Sequence, residues 1–436
     1  MDCFIAIDIG TTHCKCLVVN EDNSILYQSK YKIDSLQPHE GWHEQDAEII
    51  FQYVLSLLKE SIAAAGTIHI GAVCFSAAMH SLLATDADGK PLCNAITWAD
   101  TRSKLYANQL RNSDTLLQIQ KESSVPVHAM SPLCKILWLK NERPEIFNGA
   151  YKFISIKEYV FSRLFGKYFI DEAMACATGM YDLECHAWSH YILNIAGIHE
   201  NKVSLVVPSL HIETELLPHI QETLGIQQKI SFVAGSSDGC LANIGSGALS
   251  ADAAVITMGT SGAVRITIPA VQTFRHEKLF RYSLTNQYHV IGGPTNNGGI
   301  VLQWFAENVL QLPASDKGTL DKLNNLAAMA PPGAEGLLFL PYLCGERAPV
   351  WDEDATGKFE NLKLSHTTAH LSRAVLEGIS FSLLQILELI EIGIPAVATI
   401  KASGILTQSP FWLQMLANIF GKPVQVFDDA DASSLG

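Results

Sequence analysis

The chain begins with an apolar run, Phe4–Ile7, breaks into a polar turn from Asp8 to Thr12, and resumes as a second apolar run at Leu17–Val19. Two short apolar runs around a glycine-containing turn predict two strands. A further short strand is predicted around Ile25–Tyr31, followed by a loop. In "DAEIIFQYVLSLLKESIAAAG", Ile50, Tyr53, Val54, Leu57, Leu58 and Ile62 recur at i, i+3, i+4 spacing. That spacing predicts an amphipathic helix with Asp46 as N-cap and Gly66 as its stop. A strand-like "IHIGAVCFS" follows at once. Strands alternating with helices of this length predict an α/β fold, with helices packed on a mainly parallel or mixed sheet.

Near residue 246 the pattern restarts. "DAAVITMGTSGAVRITI" is again an apolar strand, a Gly-Thr-Ser turn and a second apolar strand, a weak internal repeat of "CFIAIDIGTTHCKCLVV". Two similar domains facing a central cleft are expected, residues 1–246 and 247–436, divided within "GSGALSAD". The last stretch, "ASGILTQSPFWLQMLANIFGKPVQVFDDADASSLG", reads as turn, helix, strand and the start of another helix. The second domain is therefore expected to be truncated at its C-terminus.

Composition narrows the function classes. A chain of 436 residues exceeds one ordinary core. The net charge of −14 argues against nucleic acid or an anionic membrane surface as a partner, and requires a locally positive pocket for any anionic ligand. No apolar run approaches the roughly 20 residues of a membrane helix, and the N-terminus lacks the marks of a signal peptide. The ten cysteines are scattered, without a Cys-x-x-Cys pair, and read as reduced thiols packed as small hydrophobes. A cytoplasmic protein is expected.

Neither a P-loop nor a complete G-x-G-x-x-G occurs. "HEGWH", His39 to His43, has the spelling of a zinc-protease motif, but Pro38 and Gly41 predict a loop, where the two histidines cannot share a helix face. The two Gly-Thr turns are more informative. Glycine admits close backbone approach and neighbouring hydroxyls add donors, so such turns can cradle phosphate oxygens. Asp8 beside the first could hold magnesium, and Lys15 adds positive charge. In "FVAGSSDGCLANIGSG", Asp238 stands at a strand-to-helix turn, as an N-cap or as a general base.

The ordered set D-x-G-T-T…K, A-M-H-S, T-W-A-D-x-R, G-x-x-D-G, M-G-T-S-G, N-N-G-G…Q-W and G-E-R-A-P resembles the FGGY family of carbohydrate kinases across the whole chain. "AITWADTRS", "VHAMSPLCKILWLKNERPEIF" and "KFISIKEYVFSRLFG" look most like the branch that phosphorylates gluconate. The resemblance implies two actin-like, ribonuclease H-like ATPase domains, with ATP and Mg²⁺ as cofactors and a sugar acid as substrate. A homodimer is left open. It implies Asp238 as catalytic base and Asp8 as the magnesium residue. Thr11, Thr12, Lys15, Gly259, Thr260 and Ser261 would bind phosphates, and Gly299, Gln303, Gly404 and Gln408 the adenosine. Ile405 departs from the second glycine usual there, and Gln408 from the commoner Asn. Met79, His80, Trp98, Asp238 and Lys135 would bind the sugar acid, with Asp100, Arg102, Ser131 and Lys157 as further candidates. Glu346 and Arg347 are expected to be structural. Alternatives are a xylulose or polyol kinase of the family, a sugar sensor without catalysis, and an actin-like ATPase.

Overall fold

The computed structural model describes residues 2–22, 24–272, 274–313, 318–427 and 432–436. The chain folds as two units, Met1–Gly245 with Tyr282–His289 and Asp431–Gly436, and Ser246–Arg281 with Val290–Ala430.

In the first unit, β1 (Asp2–Ile9) and β2 (His13–Asn20) pair antiparallel, with Asp8 opposite Lys15 and Ile9 opposite Cys14. β3 (Ile25–Lys32) extends the sheet beyond β2. β4 (His69–Ala77) lies parallel to β1, with Ala77 opposite Ile9. β5 (Ile212–Glu213) and β6 (Phe232–Ser237) complete a six-stranded sheet in the order β5-β6-β4-β1-β2-β3. Cys3, Ile5, Ile7 and Ile9 of the central strand are buried at alternate positions, as a pleated strand demands.

Helix α1 (Ala47–Ala65) begins where expected: Asp46 accepts from the N–H groups of Glu48 and Ile49. It stops at Gly66, whose φ of 59° a side chain would oppose. Ile50, Val54, Leu57 and Leu58 are buried, as are Phe51 and Ser61, which the apolar stripe did not include. Tyr53 is half-buried and stacks on Tyr31, ring centroids 5.0 Å apart. Helices α2 (Pro132–Glu142), α3 (Ile156–Phe165), α4 (Glu172–Ala177) and α5 (Asp238–Gly245) supply the remaining side chains of interest.

The second unit repeats the plan. β7 (Ala253–Met258) and β8 (Gly262–Pro269) form an antiparallel pair, with Met258 opposite Gly262. With β9 (Phe280–Thr285), β10 (Tyr288–Thr295), β11 (Thr399–Gly404) and β12 (Val424–Val426) they build the order β9-β10-β8-β7-β11-β12. β11 runs parallel to β7, with Gly404 opposite Met258. In both sheets, therefore, the turn after the opening strand lies beside the end of a parallel strand. Helix α6 (Gly299–Asn308) follows β10, and α7 (Thr368–Glu391) precedes β11.

The units are not two contiguous stretches of chain. The hairpin Tyr282–His289 belongs to the first because Ser283 Oγ donates to Glu172 Oε2 at 2.7 Å and Ser209 Oγ donates to the Leu284 carbonyl. The helix Ala432–Leu435 also belongs there. Gly245 of α5 approaches it so closely that a Cβ would lie 2.0 Å from the Ala432 carbonyl oxygen. All ten cysteines are free thiols.

Candidate active site

Asp8, the last residue but one of β1, is almost fully buried. Its Oδ2 accepts from Ser433 Oγ at 3.2 Å, whereas Oδ1 is buried with no hydrogen-bond partner. An unsatisfied buried carboxylate oxygen is costly. A cation bound there would relieve it, so the residue fits a magnesium role. Among the described residues no group of three or more His, Cys, Asp or Glu side chains could hold a metal. A single carboxylate supplemented by water and phosphate oxygens is the sparse protein ligation Mg²⁺ accepts.

The turn after β1 is tight: Gly10 N–H donates to the His13 carbonyl, and a Cβ on Gly10 would lie 2.9 Å from that oxygen. Thr11 is gripped twice. Gln45 Nε2 donates to its carbonyl at 2.6 Å, and Trp98 Nε1 donates to its hydroxyl at 2.9 Å. Thr12 is exposed and Lys15 half-buried. Gln45 carries no motif in the sequence; only the fold reveals that it meets Thr11.

Beyond β4 the chain passes through Met79 and His80. His80 has φ of 68°, a left-handed conformation that costs a non-glycine residue energy and persists only where surroundings enforce it. Two contacts do so: His80 Nδ1 hydrogen-bonds the Ala177 carbonyl at 2.8 Å, and the His80 carbonyl accepts from Lys135 Nζ at 2.5 Å. Lys135 is completely buried, and its ammonium also donates to Thr97 O at 2.7 Å and Ile96 O at 3.3 Å. Its three donors meet three carbonyls, so the expected contact to substrate is corrected: Lys135 fastens the backbone at His80 to the backbone before Trp98. Burial pushes its pKa down to about 7.

The other basic candidates are likewise occupied. Arg102 forks onto Asp100, with Nε to Oδ1 at 2.9 Å and Nη2 to Oδ2 at 2.7 Å. It also reaches Glu44, and its guanidinium lies 3.7 Å from the Trp42 ring centroid. Lys157 pairs with Asp171 at 2.8 Å, and its Nζ donates to the Ser236 carbonyl at 3.1 Å. Burial lowers the Lys157 pKa. Ser131 Oγ donates to the Thr178 carbonyl. Their charges and donors hold the frame around the candidate residues.

Asp238 is half-buried at the start of α5, and one carboxylate oxygen accepts from Gly239 N–H at 2.6 Å. The N-cap geometry belongs to its neighbour: Ser237 Oγ accepts from Cys240 N–H.

In the second unit, the Gly259–Ser261 turn packs on the start of α6. Gly299 N–H donates to Gly259 O at 2.8 Å and Ile300 N–H to Thr260 O at 3.1 Å. A Cβ on Gly299 would stand 2.7 Å from Gly259 O, and one on Gly298 2.8 Å from the Ser261 backbone. Gly404, at φ of 75°, leaves no room for a side chain against Met258 O. The structure thus brings Gly259, Gly299 and Gly404 to one corner. Gln303 and Gln408 are both exposed.

The comparisons with known proteins agree across both units. The FGGY family of carbohydrate kinases matches by its N-terminal domain over residues 3–245 and by its C-terminal domain over residues 254–436. The chain belongs to this family. A gluconokinase of Bacillus subtilis (strain 168) is 39% identical, the match covering 99% of this chain and 85% of that one. The solved gluconate kinase from Lactobacillus acidophilus superposes with a TM-score of 0.92 at 32% identity, covering 100% of this chain and 88% of that one. A ligand-bound xylulose kinase from the same organism gives 0.93 at 31%, with the same coverage.

As an FGGY kinase the chain is a phosphotransferase with an alcohol acceptor. Ile405, where the family usually has a glycine, lies with its Cδ1 3.7 Å from the position a Gly299 Cβ would take. It stands against the first residue of α6. Glu346 is fully buried and accepts from Thr295 Oγ1, Asn296 N, Asn297 Nδ2 and Arg347 N. It fixes the segment leading into α6, and burial raises its pKa. His39 and His43 lie in a loop, outside any helix.

Glu158 closes a capping box with Ser155 at the start of α3 and lines, with His80 and Thr178, a cavity of about 20 Å³. Burial pushes its pKa up to about 7. A carboxyl raised above its unfolded value of 4.5 contributes stability fully present below that value and lost as pH rises through about 7. Glu158→Gln keeps an acceptor for Ser155 N–H and cannot ionise. Urea midpoints at pH 5 and pH 8 are expected to differ less in this FGGY kinase variant than in the parent; an unchanged difference would remove Glu158 as its source.

Proposed function

We propose that the chain phosphorylates D-gluconate with ATP, giving 6-phospho-D-gluconate and ADP. The 39% identity to a gluconokinase along essentially the whole chain carries the choice of sugar. The two glycine turns and the strained Met79–His80 segment support phosphate and polyol binding respectively.

In this reading the Asp238 carboxylate accepts the C6 hydroxyl proton as that oxygen forms its bond to the γ-phosphorus. The bond from γ-phosphorus to the β–γ bridging oxygen breaks, and ADP leaves with the electron pair. Thr11, Thr12 and Lys15 of the first unit and Gly259, Thr260 and Ser261 of the second donate to phosphate oxygens. Gly299, Gln303, Gly404 and Gln408 flank the adenosine. Met79, His80 and Trp98 orient the sugar acid. Asp8 holds Mg²⁺, which when bound offsets phosphate charge. Arg102, Lys135 and Lys157 are committed to internal acceptors and hold the frame of the sugar side. A cytoplasmic setting, in which ten free thiols stay reduced, fits this chemistry.

A second reading, xylulose as acceptor, is favoured by the TM-score of 0.93 to a xylulose kinase. Phosphorus NMR of the product made from MgATP and gluconate separates the two. A phosphomonoester coupled to the C6 methylene protons is expected; product formed from xylulose alone would select the second reading.

A further inference from the structure

We infer that the Trp98 indole N–H is a positioning group for the first phosphate turn, so that filling the sugar side prepares Thr11 for nucleotide. The inference rests on the kinase reading proposed above and concerns how its two substrates communicate.

Both grips on Thr11 have the same polarity. An indole N–H only donates, and so does the amide nitrogen of glutamine. Trp98 Nε1 occupies a lone pair of the Thr11 hydroxyl at 2.9 Å, and Gln45 Nε2 occupies the Thr11 carbonyl at 2.6 Å. Thr11 thus has acceptors engaged inside the protein, and its hydroxyl proton is directed elsewhere. A turn residue held this way offers hydrogen toward an anion. Had the partners been acceptors, the same hydroxyl would have presented its lone pairs and repelled phosphate.

The two grips are built on one ribbon. Glu44–Gln45 pairs antiparallel with Ala95–Ile96, placing Gln45 opposite Ala95, three residues before Trp98. Thr97 is tied to the same ribbon, its N–H donating to His43 O at 2.9 Å. Lys135 then joins Ile96 O and Thr97 O to His80 O. One continuous set of hydrogen bonds therefore runs from His80 through the ribbon to Trp98 and Thr11. Trp98 is half-buried, leaving ring surface for a ligand to cover. A sugar that immobilises the ring immobilises its N–H, and the coupling must work equally in reverse.

Trp98→Phe keeps an aromatic ring, though a smaller one, and deletes the donor. Calorimetric affinity for a non-hydrolysable MgATP analogue is measured with and without saturating gluconate. The parent is expected to bind the analogue about two- to tenfold tighter with gluconate, the worth of one hydrogen bond. In Trp98→Phe that ratio is expected to fall to near one, with the KM for ATP rising more than the KM for gluconate. An undiminished ratio in a folded Trp98→Phe, or no ratio in the parent, overturns the inference. Exchange of the Trp98 indole proton, followed in the unmutated chain by nitrogen-labelled tryptophan, supplies a test free of any folding defect. It is expected to slow when gluconate binds, and unchanged exchange counts against the inference. Absence of gluconate-dependent ADP release would instead defeat the kinase reading and this inference with it, whereas release with undiminished coupling in Trp98→Phe defeats this inference alone.

Discussion

Asp238→Asn is expected to lower the gluconate-dependent rate by about 10²- to 10⁴-fold, the usual worth of a positioned general base, while nucleotide affinity stays near that of the parent. The amide is nearly isosteric with the carboxylate and keeps an oxygen for the Gly239 N–H, so the start of α5 need not change. Ser237, which accepts from Cys240 N–H, continues to cap the helix. What is lost is an atom able to take a proton. Steady-state kinetics alongside calorimetry of the MgATP analogue separate the two effects. A variant with near-parental turnover would remove Asp238 as the base, and one with lost nucleotide binding would point to a structural role.

The second large effect is on stability. Lys157 and Asp171 have side chains only 1% and 0% exposed, and the lysine also anchors the Ser236 carbonyl just before Asp238. Lys157→Met removes the cation and strands a buried carboxylate, a change that costs about 3–5 kcal/mol when a buried pair is broken from one side. Asp171→Asn in the same chain removes the stranded charge yet keeps an oxygen for the Met174 N–H it caps. The double variant is therefore expected to be more stable than Lys157→Met alone, read as a higher urea midpoint. Additive losses would mean that the two side chains do not act as a pair.

Where local chemistry decides the outcome, the sequence was legible. Asp46 and Gly66 bound α1 because capping and positive φ are properties of single residues. The restart at Ala253 predicts a second sheet because it repeats an apolar–turn–apolar pattern, and β7 and β8 form there. Ligand candidates on glycine turns could be proposed because glycine states its reason for being there: a Cβ on Gly10, Gly299 or Gly404 would collide with backbone. Side-chain destinations were not legible. Lys135 reads as a free cation until the fold brings in carbonyls 38, 39 and 55 residues away. Arg102 reads as an anion binder until Trp42 and Glu44 enclose it. Gln45 gives no signal, since its purpose lies 34 residues off at Thr11. The hairpin Tyr282–His289 packs with the first unit although it follows the start of the second in sequence, because a sequence pattern says nothing about where a hairpin tip is bonded.

Sugar-dependent ADP release is the most direct test of the account. The 436-residue chain is supplied with MgATP and, separately, D-gluconate, D-xylulose and glycerol. Release driven by gluconate and close to background with the other two is the expected result. Release driven by xylulose or glycerol in preference to gluconate, or equal with and without any sugar, would contradict it.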